Sequence, residues 1–253
     1  MQRIIVGISG ASGAIYGIRA LEILRTLGVE THLVLSPSAG RTITEETDLS
    51  LEQVRSLASQ VHSFKDIGAT IASGSFKVDG MLVAPCSVKT LSAIAHCATD
   101  ELIARAADVQ LKERRRVVLL FRETPLHAGH IALMERATMN GAVVMPPVPA
   151  FYHRPKSIDD IVTQTVGRAL DLFGIDARWS TAGTAAATTR TEAGHQWPCL
   201  GSESQSSTRS DGLGAPGGAS NANTIIRVGS RRLSHGSVSS TSSSCAGGET
   251  YCP

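Results

Sequence analysis

The chain has 253 residues, enough for one large domain or two small ones, and carries a formal charge of +2. That charge is spread along the chain, so no basic face argues for nucleic acid or anionic lipid, and no apolar run is long enough to span a bilayer. The N-terminus passes straight into a strand pattern without the order of a signal peptide, which implies a cytoplasmic protein.

Residues 4–19 read IIVGISGASGAIYGIR. An apolar run at Ile4, Ile5 and Val6 gives way to a small-residue turn with Gly7, Ser9, Gly10, Ser12 and Gly13, and from Ile15 the apolar residues recur at helical spacing. This predicts a buried strand, a tight turn and a helix over 12–27, with Ile15, Ile18, Leu21 and Leu24 on the core side and Gly28 as its stop. Amides freed by the small residues, together with the positive helix end, suit an anion such as a phosphate. The glycine spacing is not G-x-G-x-x-G and no P-loop lysine follows, so a nucleotide or flavin phosphate is expected without an ordinary dinucleotide fold.

A second strand is predicted over 29–35, then helices over 38–47 and from 50 onward. Residues 66–78 give no clear pattern. A third strand over 81–84 ends at Pro85, Cys86 and Ser87, and a helix over 88–98 should start beside the first turn. A helix over 101–115, a strand over 117–121, a helix over 126–140, a strand over 142–145 and a last helix over 157–173, capped by Ser157, complete the pattern. Uniformly apolar strands alternating with helices mean a parallel sheet covered on both faces, a three-layer doubly wound α/β fold of Rossmann-like or flavodoxin-like type. Ligands of such sheets bind beyond the carboxyl ends of the strands, where the turns at 10–12, 36, 87–90 and 122–123 should converge.

Beyond residue 180 the composition is dominated by Ser, Thr, Gly and Ala, with one strand hint at Thr224, Ile225 and Ile226. Such a segment cannot bury enough apolar area to offset its ordering entropy, so a domain over 1–179 and a disordered extension over 180–253 are expected. Of five cysteines, Cys86 and Cys97 lie in the patterned region and Cys199, Cys245 and Cys252 in the extension, without zinc or disulfide spacing. His127 and His130, with His153 later, lack a third ligand or a placed carboxylate, so a surface pair is preferred and no metal is expected.

With these turns in place, the chain resembles the UbiX-type flavin prenyltransferases. The matching stretches are GISGASGAIYG at 7–17, GRTITEETD at 40–48 preceded by Ser36, PCSVKTLSAI at 85–94, RAADVQLKERR at 105–115, RETPLH at 122–127 and MPPVPAFYHRP at 145–155. The resemblance covers roughly the first 175 residues, and six motifs in register are specific where any one would be weak. It implies a homo-oligomer, typically a dodecamer. Its members join a dimethylallyl group from dimethylallyl monophosphate to N5 and C6 of reduced FMN, and the prenylated FMN serves a UbiD-type decarboxylase. No metal is needed.

Carried over residue by residue, the resemblance makes Gly10, Ala11, Ser12, Ser36, Ser87, Val88, Lys89, Thr90 and Arg122 contacts to FMN. Glu46 becomes the catalytic glutamate, with Glu123 beside Arg122 at the strand end. Lys112, Tyr152 and Arg168 hold the prenyl phosphate, with Arg105 a further basic group there. Read without the resemblance, the serines are helix caps, Arg122 and Glu123 a solvated pair, Glu46 a helix-end residue, Lys112 and Arg168 helix-surface charges, and Tyr152 a partly buried ring. Trp179 follows the last helix sooner than its family counterpart. The chemistry accounts for the types: cations and a phenol stabilise a departing phosphate, and a carboxylate takes a proton. Two other readings share the fold. Flavin-dependent cysteine decarboxylases carry an Asn that this chain lacks in the stretch 85–90, and a non-catalytic FMN carrier would not need Glu46, Lys112 or Arg168.

Overall fold

A computed structural model describes residues 2–177; Arg178, Trp179, the extension and its three cysteines lie outside the described residues. Six strands form one parallel sheet: β1 (Arg3–Ile8), β2 (Glu30–Leu35), β3 (Gln60–His62), β4 (Gly80–Cys86), β5 (Arg116–Phe121) and β6 (Val143–Val144). Their order is β3-β2-β1-β4-β5-β6, so the chain leaves β1 first to one side and later to the other. This is the Rossmann order, adopted here without the Rossmann glycine spacing.

The helices are α1 (Ala14–Thr26), α2 (Pro37–Glu46), α3 (Leu51–Ser56), α4 (Val88–Ala95), α5 (Leu102–Lys112), α6 (Ala128–Met139) and α7 (Ile158–Asp171). Alternate residues of the central strands feed two separate cores. Ile4, Val6 and Ile8 face α1 and α7 with Leu82 and Leu120, while Ile5, Met81, Val83 and Leu119 face α4 and α5. Both faces are apolar because both are covered. Each fully buried Ile or Leu contributes roughly 1.5–3 kcal/mol, which makes the sheet the rigid frame for its own edge.

Local signals explain most boundaries. Ser36, Ser50, Ser87 and Ser157 each accept a first-turn amide, and Ser50 and Ser157 complete capping boxes with Gln53 and Asp160. Gly17 lets α1 lie against the sheet, since a Cβ there would sit 2.3 Å from the Ala84 carbonyl oxygen. The predicted third strand is the fourth, because β3 precedes it; three residues long with Gln60 and Val61 exposed, β3 has no alternating signature. The unpatterned stretch 66–78 contains a 3-10 turn at Thr70–Ala72, with Ile71 and Ala72 buried in the second core.

Candidate functional site

The carboxyl ends of the central strands are sewn together by hydrogen bonds. Ser36 N–H donates to Ile8 O (3.0 Å), joining the β2 and β1 turns, and Arg122 N–H donates to Cys86 O (3.1 Å), joining β5 and β4. Between β1 and β4 the connection is Ser9, whose Oγ donates to Pro85 O (2.8 Å) and accepts from Ser87 N–H (2.8 Å). The turns at Gly10, Ser36, Ser87 and Arg122 therefore meet on one rim, as the motif order requires. The gap between β1 and β4 is the point where the winding reverses, the usual ligand crevice of such sheets.

Each turn brings its own chemistry. Ser87 Oγ accepts from Thr90 N–H (3.3 Å) and donates to Thr90 Oγ1 (3.1 Å), which leaves the Val88 and Lys89 amides without an intrahelical acceptor. Lys89 is exposed beside them. This end of α4 could hold a phosphate. Gly10 packs against α2 so closely that a Cβ would fall 2.2 Å from Ser38 Cβ, a backbone approach only a bare residue permits. Ala11 and Ser12 complete that turn, half-buried and exposed respectively. Arg122 forms no ion pair with Glu123 among the described residues; Glu123 Oε1 instead accepts from Thr124 N–H (3.0 Å). Arg122 stands near Tyr16 of α1, whose hydroxyl burial pushes up and Arg122 pulls down. An unpaired guanidinium, free amides and a small-residue turn on one rim fit the parts of a flavin mononucleotide.

Glu46, the last residue of α2, reaches the same rim. Its Oε2 accepts from Gly13 N–H (2.8 Å) and Ala14 N–H (3.1 Å), the amino end of α1. The α1 terminus expected to suit a phosphate thus carries a carboxylate.

Lys112 and Arg168 lie away from this rim within one protomer. Arg105 and Lys112 lie two turns apart on α5, in one stripe with Asp108, to which Arg105 pairs (3.6 Å). Lys112 ends α5 a few residues before β5 begins, so it stands at the amino ends of the strands, paired with Glu113 (3.6 Å). Tyr152 and Arg168 do come together. They line an open groove of about 690 Å³ along α7, where Gln164 Nε2 lies 3.4 Å from the Tyr152 hydroxyl. Tyr152 is 84% exposed and not the partly buried ring expected without the resemblance. Arg168 sits toward the far end of α7, five residues before Phe173, which packs at Gly80, the first residue of β4.

Ser9 and Tyr16 are rim residues that motif reading passed over, although both lie inside the first matched stretch. His127 caps α6 by accepting from Gly129 N–H (3.0 Å), and its ring lies against that of His130, centroids 3.8 Å apart and tilted by 31°. Cys86 is buried and its thiol is pushed up by that burial; Cys97 is exposed, and both are free. Among the described residues no group of three acidic, His or Cys side chains could hold a metal, and no helix is long and apolar enough to cross a membrane.

Fold and rim together define a doubly wound α/β protein whose turns converge at its topological switch point. A family model described as Flavoprotein matches residues 1–170. The flavin prenyltransferase UbiX of Thauera aromatica is 60% identical over 183 residues, covering 71% of this chain and 94% of that protein. The flavin prenyltransferase UbiX of Escherichia coli K12 is 59% identical over 186 residues, covering 71% and 98%. A UbiX protein crystallised with FMN and dimethylallyl pyrophosphate superposes with a TM-score of 0.69 at 53% identity, covering 70% of this chain and 97% of that one. A dodecameric FMN-dependent UbiX-like decarboxylase from Escherichia coli O157:H7 gives 0.68 at 48% identity, covering 69% and 95%. The chain belongs to the flavoprotein family, among its UbiX-type flavin prenyltransferases.

Proposed function

We propose that the protein is a cytoplasmic flavin prenyltransferase that transfers a dimethylallyl group from dimethylallyl monophosphate to N5 and C6 of reduced FMN, releasing phosphate, and that a UbiD-type decarboxylase receives the product. The observation that carries this reading is that Glu46 reaches the rim of the Gly10–Ser12, Ser87–Thr90 and Arg122 turns from a different helix. FMN is a substrate here, and it supplies the two nucleophilic ring atoms. Its phosphate fits the α4 turn of Ser87, Val88, Lys89 and Thr90 with Ser36 nearby, and its ring fits against Gly10, Ala11, Ser12 and Arg122.

Breaking the allylic carbon–oxygen bond leaves a dianionic phosphate and an allylic cation. Lys112, Arg168, Arg105 and the Tyr152 hydroxyl stabilise the growing negative charge, each such fixed donor contributing on the order of 3 kcal/mol. N5 adds to the allylic cation and sheds its proton. A proton added to the prenyl double bond lets C6 attack it, Glu46 accepts the proton that C6 then releases, and Glu123 supports the Arg122 turn. Because Lys112 and Arg168 stand away from the rim of their own protomer, they serve the rim of a neighbour in a homo-oligomer. Exposed Met139, Val148, Phe151, Tyr152 and Ile158 are the apolar surface that such assembly would cover.

The test is anaerobic incubation with reduced FMN and dimethylallyl monophosphate, followed by mass spectrometry of the flavin. A five-carbon mass gain is expected. Bound but unaltered FMN would point to a carrier, and oxidative loss of carbon dioxide from a cysteinyl peptide to a cysteine decarboxylase.

A further inference from the structure

The α1 terminus and the α4 terminus face the same rim, but the structure treats them differently. At α4 the first-turn amides of Val88 and Lys89 are open. At α1 the Gly13 and Ala14 amides are both spent on Glu46 Oε2, and the Tyr16 N–H is turned back to Gly13 O (3.0 Å). Gly13 takes the left-handed conformation (φ 97°) and offers no side chain as a cap. The cap that α1 lacks locally is delivered from 33 residues away. Glu46 is itself the last residue of α2, so its reach is fixed by the packing of α2 on α1. Its second oxygen, Oε1, has no partner among the described residues.

Building on the prenyltransferase reading, we propose that the amino end of α1 is a carboxylate seat and not a phosphate site. Gly13 and Ala14 are positioning residues that hold Glu46 by Oε2 and leave Oε1 to take the proton. The geometry accounts for a base on an otherwise exposed helix end. A glutamate side chain there would sample many rotamers, and two amide bonds to one oxygen reduce them to one orientation. It also separates two of the reaction's anionic groups, the base carboxylate at α1 and the flavin phosphate at α4. The Gly13 and Ala14 amide hydrogens are committed to the carboxylate, so the flavin phosphate is left the α4 turn.

A seat emptied of its own carboxylate should accept a foreign one. The experiment uses the full chain with FMN bound, the Glu46→Ala variant, and formate as the probe. Glu46→Ala should retain FMN while flavin prenylation falls by about a hundredfold or more. Formate should then restore it by roughly tenfold, with saturation, whereas sodium chloride at equal ionic strength restores nothing. Crystals of Glu46→Ala soaked in formate should show its oxygen on the Gly13 and Ala14 amides, a readout independent of activity. Absence of rescue by formate, absence of formate from the two amides, or equal rescue by chloride would each overturn the seat. If Glu46→Ala does not fold, the near-isosteric Glu46→Gln decides. Its amide oxygen should occupy the same two N–H groups and formate should give no rescue; a displaced carboxamide with phosphate on α1 would overturn the proposal. Wild-type protein that fails to prenylate flavin defeats the enzymatic reading, whereas active wild type with unrescued Glu46→Ala defeats only the seat.

Discussion

Ser9 Oγ stands 2.8 Å from the Ser87 amide nitrogen across the gap between β1 and β4, and the same hydroxyl donates to Pro85 O. One buried hydroxyl, 1% exposed, thereby sets the distance between the first turn and the α4 turn. Replacing Ser9 with Ala strands the Ser87 amide at the edge of the core. The expected loss is about 1–3 kcal/mol of stability, read from denaturant midpoints. FMN affinity should fall with it, because the α4 turn loses its side-chain tie to the Gly10 turn and keeps only the Ser9 N–H to Pro85 O bond (3.2 Å). Unchanged FMN binding in a destabilised Ser9→Ala protein would mean that the two turns do not act as one site.

Division of the basic residues from the rim leads to a mixing experiment. Glu46→Gln and Lys112→Ala should each lose on the order of a hundredfold in prenylation while keeping FMN. Co-assembled, they should regain activity, because a site that takes Glu46 from one protomer and Lys112 from another is intact in roughly a quarter of random pairings. Mixed oligomers no more active than their parents would place both residues in one protomer's site.

A chain of contacts on the opposite side of β1 contributes to acid stability. His32 Nδ1 lies 2.9 Å from His62 Nε2, His32 Nε2 lies 3.0 Å from Glu30, and Arg3 pairs with Glu30 (2.8 Å). Burial pushes both imidazoles below their ordinary range; Glu30 beside His32 and Asp66 beside His62 oppose this. Each folded-state value is below the unfolded one, so the unfolded chain takes up protons first as pH falls. This stability is complete above the ordinary imidazole value of about 6.5 and is lost as pH drops below it. A decline in stability between pH 7.5 and pH 5 is expected in denaturant titrations. His62→Gln should flatten it; a profile as steep as wild type would assign the decline to other groups.

Residues 180–253 contain few apolar groups to bury, and we expect truncation after Trp179 to leave flavin prenylation within about twofold of the full chain. Loss of folded protein on truncation would make the extension part of the structure.

The sequence by itself determined the alternation of strands and helices, the serine caps and the set of turns that face the ligand edge. These follow from hydrophobic period and from hydrogen bonds that close within three or four residues, such as Ser87 to Thr90 and Ser157 to Asp160. The short edge strand Gln60–His62 escaped because it is too brief and too exposed to carry a period. Only the tertiary structure decided where distant side chains meet. It set Glu46 on the α1 amides, passed the Ser9 hydroxyl across to Ser87, placed Lys112 at the amino ends of the strands, and joined His32 to His62. The physical reason is that strand order and helix packing bring these partners together, and neither is written in any local stretch of the chain.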